Sequence, residues 1–316
     1  MATIEPPVTL GPNVETLTAE PLSLGQMTWR RFRRHKLAIA SAVMLILMFI
    51  YCFGGAFIYS EADANYNDPR IRLQAPSAEH PFGTDTIGRD ILIRTIYGGQ
   101  ISLLIGVTAV IVQVVIGILI GAISGYYGGL IDSLLMRFTE AILTIPTLFL
   151  LLVMAKFFGG QVPDMVLLGR TFSGSVVVII LIIGLTSWPR LARIVRAEFL
   201  SLKENDFVMA ARATGAPNSQ IIFRHILPNT IAPIVVTATL AVAGAIISEA
   251  YISFLGLGVQ PPTATWGNMI TNAANYIEDS PWLWFFPGML ILLTVLSINF
   301  VGDGLRDALD PRSRPE

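Results

Sequence analysis

NDFVMAARATGAPNSQIIFRHILPN, residues 205–229, is a polar stretch set between two long apolar runs. It divides what would otherwise be one hydrophobic block into two membrane-length segments joined by a folded connection. Asn205 and Asp206 suit the N-cap of a helix over 207–214, on which Phe207, Ala211 and Thr214 share one face. Gly215 ends that helix, because glycine fits the left-handed position that follows a helix terminus. Pro217 suits the first turn of a second helix, with Ile221, Ile222 and Ile226 on its apolar side, and Leu227 and Pro228 close the unit. These residues dictate a short helix-turn-helix beside a membrane, with no partner named.

Outward from this unit, 53% of the 316 residues are hydrophobic and only 14% charged, too apolar a balance for a water-soluble domain of this length. Apolar runs lie at 37–58, 101–123, 135–157, 176–194, 231–253 and 283–301. At 1.5 Å per residue each approaches or exceeds the ~30 Å hydrocarbon thickness, which predicts six transmembrane helices and an all-α integral membrane fold. The fourth run is interrupted by Trp188, Pro189 and Arg190, with the arginine placed to snorkel near a helix end. Arg30, Arg31, Arg33, Arg34 and Lys36 precede the first run, which reads as an uncleaved anchor. The chain so divides into a tail over 1–36 (disordered over 1–28), a first span with its outer loop over 37–100, a core over 101–303 and a second tail over 304–316. Segments on the N-terminal side hold 15 Lys and Arg against 6 on the other, which predicts both termini and the 205–229 unit in the cytoplasm.

Several function classes lose their support. A net charge of -1 supplies no basic surface for nucleic acid. The lysines Lys36, Lys156 and Lys203 follow His35, Ala155 and Leu202, so no Gly-Lys-Ser/Thr phosphate loop exists, and any ATP with its Mg belongs to another chain. His35, His80 and His225 fall on different sides of the membrane and form neither a metal site nor a triad, and no serine stands in a nucleophile elbow. Catalytic residues, a metal and a cofactor are therefore not expected. The lone Cys52 reads as a small packed hydrophobe.

Other features carry two readings each. Gly117, Gly121 and Gly125 form a flat strip for close helix packing, with a sliding joint as the alternative. Glu140 lies three residues after Arg137 and reads as an interfacial ion pair, or as a pathway group. Glu249 sits late in the fifth run, before Tyr251, Ser253 and a Gly256–Gly258 break, and either reaches external water or lines a pathway. Ile87, Ile91, Leu92 and Ile96 recur at helical spacing, which predicts a helix lying in the outer interface or one packed on the protein. Trp266, Trp282, Trp284, Phe285 and Phe286 read as an interfacial aromatic belt.

Three motifs together resemble a known family. Ala210, Ala211, Gly215 and His225-Ile226-Leu227-Pro228 are similar to the EAA loop of ATP-binding cassette importer permeases, with Met209 where the family carries Glu. His80-Pro-Phe-Gly-Thr-Asp85, Gly88-Arg-Asp90, Arg94, Tyr97, Gly98 and Ser102 resemble the C-type permease of dipeptide and oligopeptide importers, as does the closing Gly302–Pro311 segment. The resemblance implies a type I importer fold of the cell inner membrane whose helix-turn-helix couples to ATPases through Phe207, Ala210, Ala211, Gly215, Leu227 and Pro228. It also implies a homologous second permease, two cytosolic ATPases and an extracytoplasmic substrate-binding protein, all within membrane lipid. Peptides are the implied cargo, with nickel chelates, glutathione or another small solute open within the same family and a secondary transporter or channel as the rival outside it.

Overall fold

The computed structural model describes residues 24–167, 170–271 and 273–310. The tail predicted to be disordered over 1–28 lies outside them up to residue 23, and its end belongs to helix α1 (Leu24–Phe32). His35 then caps α2 (Lys36–Phe49), its Nδ1 accepting from Ala38 N at 3.1 Å, and a π turn carries the helix on to Gly54. The short α3 (Glu61–Asn65) opens the long loop that follows.

Helix α4 (Ile91–Tyr127) has 37 residues, about 55 Å at 1.5 Å per residue, and overshoots the bilayer. It absorbs the segment expected to lie in the interface. Ile91 and Ile96 face protein rather than lipid, and the 4% exposed Arg94 donates to Ala64 O and Asn65 Oδ1, both at 3.2 Å. The periodicity belongs to the first turns of a membrane span.

The third run is a broken helix rather than a straight one. α5 (Gly129–Thr144) and α6 (Thr147–Phe158) meet at 87°. Ile145 precedes a proline and takes extended backbone, as the proline ring disfavours helix there. A two-stranded ribbon, β1 (Met165–Leu167) paired antiparallel with β2 (Arg170–Phe172), then departs from the all-helical expectation. α7 (Gly174–Leu202) runs well beyond the predicted 176–194, carrying Pro189 inside it.

After α7 come α8 (Asp206–Ala213), α9 (Asn218–Gln220) and α10 (Ile231–Phe254). π-helical residues Ile221–Ile226 and 3-10 residues Leu227–Thr230 join the last two into one span, Asn218–Phe254. Leu227 and Pro228 therefore lie inside a continuous helical rod instead of closing a unit. α11 (Trp266–Ile270) and α12 (Trp282–Leu309) complete the chain, α12 reaching past the predicted end of its span so that Gly304 packs on Ala38 and Phe32. Among the described residues five helices are long and apolar enough to cross a membrane, six with the bent pair counted as one span.

The glycine strip is the main weld. A Cβ on Gly121 would stand 2.5 Å from Ala192 O, and one on Gly125 would stand 2.6 Å from Phe199 Cβ, so α4 and α7 touch backbone to backbone. Around that seam lie two apolar cores. One gathers Ile105, Ile179, Ile183 and Ile252, and the other, nearer α8, gathers Leu191, Val195, Phe199 and Ile226.

Candidate functional site

Two places hold the predicted functional residues: the α8 unit, and a pair of cavities along α7. In the first, Val208 is fully buried and Ala211 nearly so, both packed with Tyr126, Phe199, Ile221 and Ile222. That face seats α8 on the ends of α4 and α7. Phe207, expected to share a face with Ala211, points away and is 39% exposed, beside exposed Met209 and Ala210. The 207–211–214 and 208–211 rows both run through Ala211, and the larger apolar patch beneath the helix selects the second. Thr214 is likewise exposed.

Gly215 has φ +78°, and the hydrogen bonds Ala216 N→Ala211 O (3.1 Å) and Gly215 N→Arg212 O (3.0 Å) close a Schellman turn. A side chain there would meet nothing within 4 Å, so only the backbone conformation demands glycine. Beyond the turn, Tyr126 Oη donates to Asn218 Oδ1 at 2.7 Å, and the Arg212 guanidinium stands 5.6 Å from the Tyr126 ring. One aromatic residue at the end of α4 thus ties both legs of the unit to the bundle.

A cavity of about 440 Å³ lies between α4, the α5–α6 bend, α7 and α10, its wall set with Gln113, Thr147, Thr186, Thr237 and Ser248. A second of about 730 Å³ lies toward α8, lined by Glu140, Arg190, Arg193 and Arg196. The two share Leu143, Arg190 and Ile194. Arg196 is held by Asp132 through two parallel hydrogen bonds of 2.5 and 2.6 Å. Glu140 lines this cavity as an exposed group 3.5 Å from Arg137, which joins its two readings: it is a local ion pair and it borders open space.

Glu249 is different from either expectation. It is fully buried, reaching no external water and lining neither cavity along α7. Ser253 Oγ donates to its Oε1 at 2.7 Å and Ser102 Oγ to its Oε2 at 3.2 Å, with the Thr265 hydroxyl also bonded to it. The same serines accept from the loop backbone, Ser253 from Val259 N and Ser102 from Trp266 N, both at 3.2 Å. Trp266 is equally buried, its Nε1 donating to Thr95 O at 2.9 Å, so it leaves the predicted aromatic belt. Trp284 and Phe285 stay exposed, while Phe286 stacks on Phe82 at 3.9 Å.

The His80–Ser102 motif is a scaffold for this end. Asp85 accepts from Ile87 N, Arg89 N and Arg89 Nε at 2.6–3.0 Å, and Asp90 caps α4 while bonding His80 Nδ1 at 2.8 Å. Among the described residues no group of three or more His, Cys, Asp or Glu could hold a metal ion. Missed by sequence reasoning were Val208, signalled only by its spacing to Ala211, and Gln113, a buried amide in an apolar run.

Comparison with known proteins accounts for this arrangement. Residues 117–315 match the family described as binding-protein-dependent transport system inner membrane component, and residues 23–76 match the N-terminal TM domain of oligopeptide transport permease C. The chain is 42% identical to an oligopeptide transport system permease protein of Haemophilus influenzae, covering 95% of this chain and 93% of the relative. It is 41% identical to the oligopeptide permease of Escherichia coli, covering 95% of each chain. A dipeptide transport system permease protein of Alkalihalophilus pseudofirmus is 39% identical, covering 90% of this chain and 89% of the relative. In fold it resembles a chain of the inward-facing MetNI methionine ABC transporter, with a TM-score of 0.52 at 20% identity, covering 67% of this chain and 94% of that one. The welded bundle, the α8 unit and these matches together make the chain a multi-pass membrane transport component with the type I importer fold, a member of the binding-protein-dependent transport system inner membrane component family, of the permease C type.

Proposed function

We propose that this chain is one permease subunit of an ATP-driven importer that carries peptides into the cytosol by alternating access. The observation that carries the reading is the α8 unit. Its buried face is fixed to α4 and α7, its opposite face offers Phe207, Met209 and Ala210 uncovered, and its second leg runs unbroken into α10. A short helix seated that way suits docking into a cleft of a moving ATPase, because packed elements transmit displacement rather than absorb it. Relatives named for oligopeptide and dipeptide transport support peptides as cargo over nickel chelates or glutathione.

In this reading both termini and α8 face the cytosol, in keeping with the bias of Lys and Arg, and a homologous second permease completes the pathway. Two cytosolic ATPases bind ATP and Mg, and an extracytoplasmic binding protein delivers cargo at the α11 end. ATP binding draws the ATPases together, α8 moves with them, and α7 and α10 tilt. Hydrolysis resets the bundle. Reconstitution of this chain with candidate ATPases, second permease and binding protein in vesicles tests it: a tripeptide accumulates only with ATP. Uptake independent of ATP, or none with the full set of components, overturns the assignment.

A further inference from the structure

The two cavities along α7 adjoin at Leu143, Arg190 and Ile194, and their polar lining differs in character. The 440 Å³ section is lined mainly by neutral polar groups, Gln113, Thr147, Thr186, Thr237 and Ser248, with Arg190 among the residues it shares with the other. At the α8 end the lining becomes cationic. Arg190, Arg193 and Ala197 share one exposed face of α7 at helical spacing, and neither Arg190 nor Arg193 has a hydrogen-bond or ion-pair partner among the described residues. The third arginine, Arg196, is satisfied by Asp132, and the one acid on the wall, Glu140, already stands beside Arg137.

Arg190 lies about 24 Å along α7 from its Gly174 end at 1.5 Å per residue, so the pair sits where the hydrocarbon gives way to the cytosolic interface. Two arginines exposed on a cavity wall, without partners among the described residues, suit an anionic visitor, and the planar fork of arginine matches a carboxylate. The cytosolic side of an energised membrane is the negative side, so moving a carboxylate inward works against the field. A cationic pair at the cytosolic mouth offsets that opposition at the last stage of passage. No comparable need exists for an ammonium group, and the wall supplies no unpaired acid to receive one.

Building on the peptide-import reading, we propose that Arg190 and Arg193 are the exit station for the cargo's C-terminal carboxylate, drawing it from the neutral section between α4, α7 and α10 into the cytosolic mouth. The site takes a free carboxylate rather than a peptide side chain of fixed identity, which suits a transporter of varied sequences. Arg190 is the central member, since it borders both cavities.

The test uses the complete importer in vesicles, with trialanine as free acid and as C-terminal amide. Arg190→Gln with Arg193→Gln should lower the import rate of the free acid about tenfold, the loss expected for one charge-assisted hydrogen bond, and leave the amide near its wild-type rate. Arg190→Lys with Arg193→Lys should restore most of the free-acid rate. A second readout avoids delivery by the binding protein: saturation-transfer NMR on the solubilised permease pair with its ATPases, where the free acid gives a signal that the double Gln variant loses. Equal slowing of both peptides, or equal NMR signals in variant and wild type, overturns the proposal. So does an effect that vanishes when anionic lipid is replaced by zwitterionic phosphatidylcholine, which assigns the arginines to anionic lipid headgroups. A wild-type importer that moves no tripeptide at all instead removes the peptide reading beneath it.

Discussion

At the α11 end, a buried carboxyl group is surrounded by donors: Glu249 accepts from Ser102, Ser253 and Thr265, and those serines in turn accept from the Val259 and Trp266 amides. At the α8 end, Arg190 and Arg193 stand exposed, without partners among the described residues, along a cavity of about 730 Å³, and α8 leaves Phe207 and Met209 uncovered. Around Glu249 the α11 end is closed by internal hydrogen bonds, with cavities of about 260 and 720 Å³ bordering the same loops, whereas at the α8 end the charged groups themselves face open space. The contrast also separates stability from function. Buried, mutually satisfied polar groups hold a structure, whereas exposed unsatisfied ones await a visitor or a partner.

The sharpest way to break this contrast is to remove the acceptor at the closed end. Glu249→Leu leaves buried hydroxyls without an acceptor, at about 1–3 kcal/mol for each such group, and should lower the melting temperature of the purified protein by several degrees. Glu249→Gln, which keeps an acceptor oxygen, should lose far less. An unchanged melting temperature in the leucine variant would show that the closed end is held by packing alone.

A smaller effect is expected at the open end. Gly215→Val forces a branched side chain into the left-handed region, at about 1–2 kcal/mol, while meeting no steric neighbour. The melting temperature should fall by only a few degrees, but substrate-stimulated ATPase activity of the complex should fall several-fold. Gly215→Asn, better suited to that backbone, should retain most of it. Normal coupling in the valine variant would detach the turn from energy transfer.

The smallest effect belongs to the loop flanking the closed end. Hydrogen bonds from the Ser60 side chain and then from its backbone N–H hold the Asp63 carboxyl below its ordinary value of 3.8. Because the folded value is the lower one, the cap is fully present above the ordinary value and is lost as pH falls through the lowered value. Amide exchange at residues 60–66 should stay slow at pH 5 and quicken, beyond the intrinsic pH effect, as pH falls below the ordinary value of 3.8. No such change would mean the capping box adds nothing in water.

Much of the membrane architecture was legible because apolar runs must be long enough to cross lipid, and the Gly117, Gly121, Gly125 strip was legible because its spacing is helical. The Schellman turn at Gly215 could be read for a similar local reason. What stayed hidden depends on distance in sequence. Ser102 and Glu249 are 147 residues apart, so nothing near Glu249 announced that its carboxyl would be satisfied internally. The break at Pro146 was masked by apolar residues on both sides, and the true seat of α8 needed the bundle surface beneath Val208 to be known. Arg190 read as a snorkelling cation until a cavity was found on each side of it.

The junction between α9 and α10 has a mechanical meaning. Six π residues, Ile221–Ile226, wind loosely, and the four that follow, Leu227–Thr230, wind tightly. Slack in one turn is taken up in the next, so the shaft stays continuous past Pro228 while its winding can shift between the two. A push on the α9 end would then reach α10 as a twist as well as a tilt, much as a threaded rod turns when it is driven through a nut.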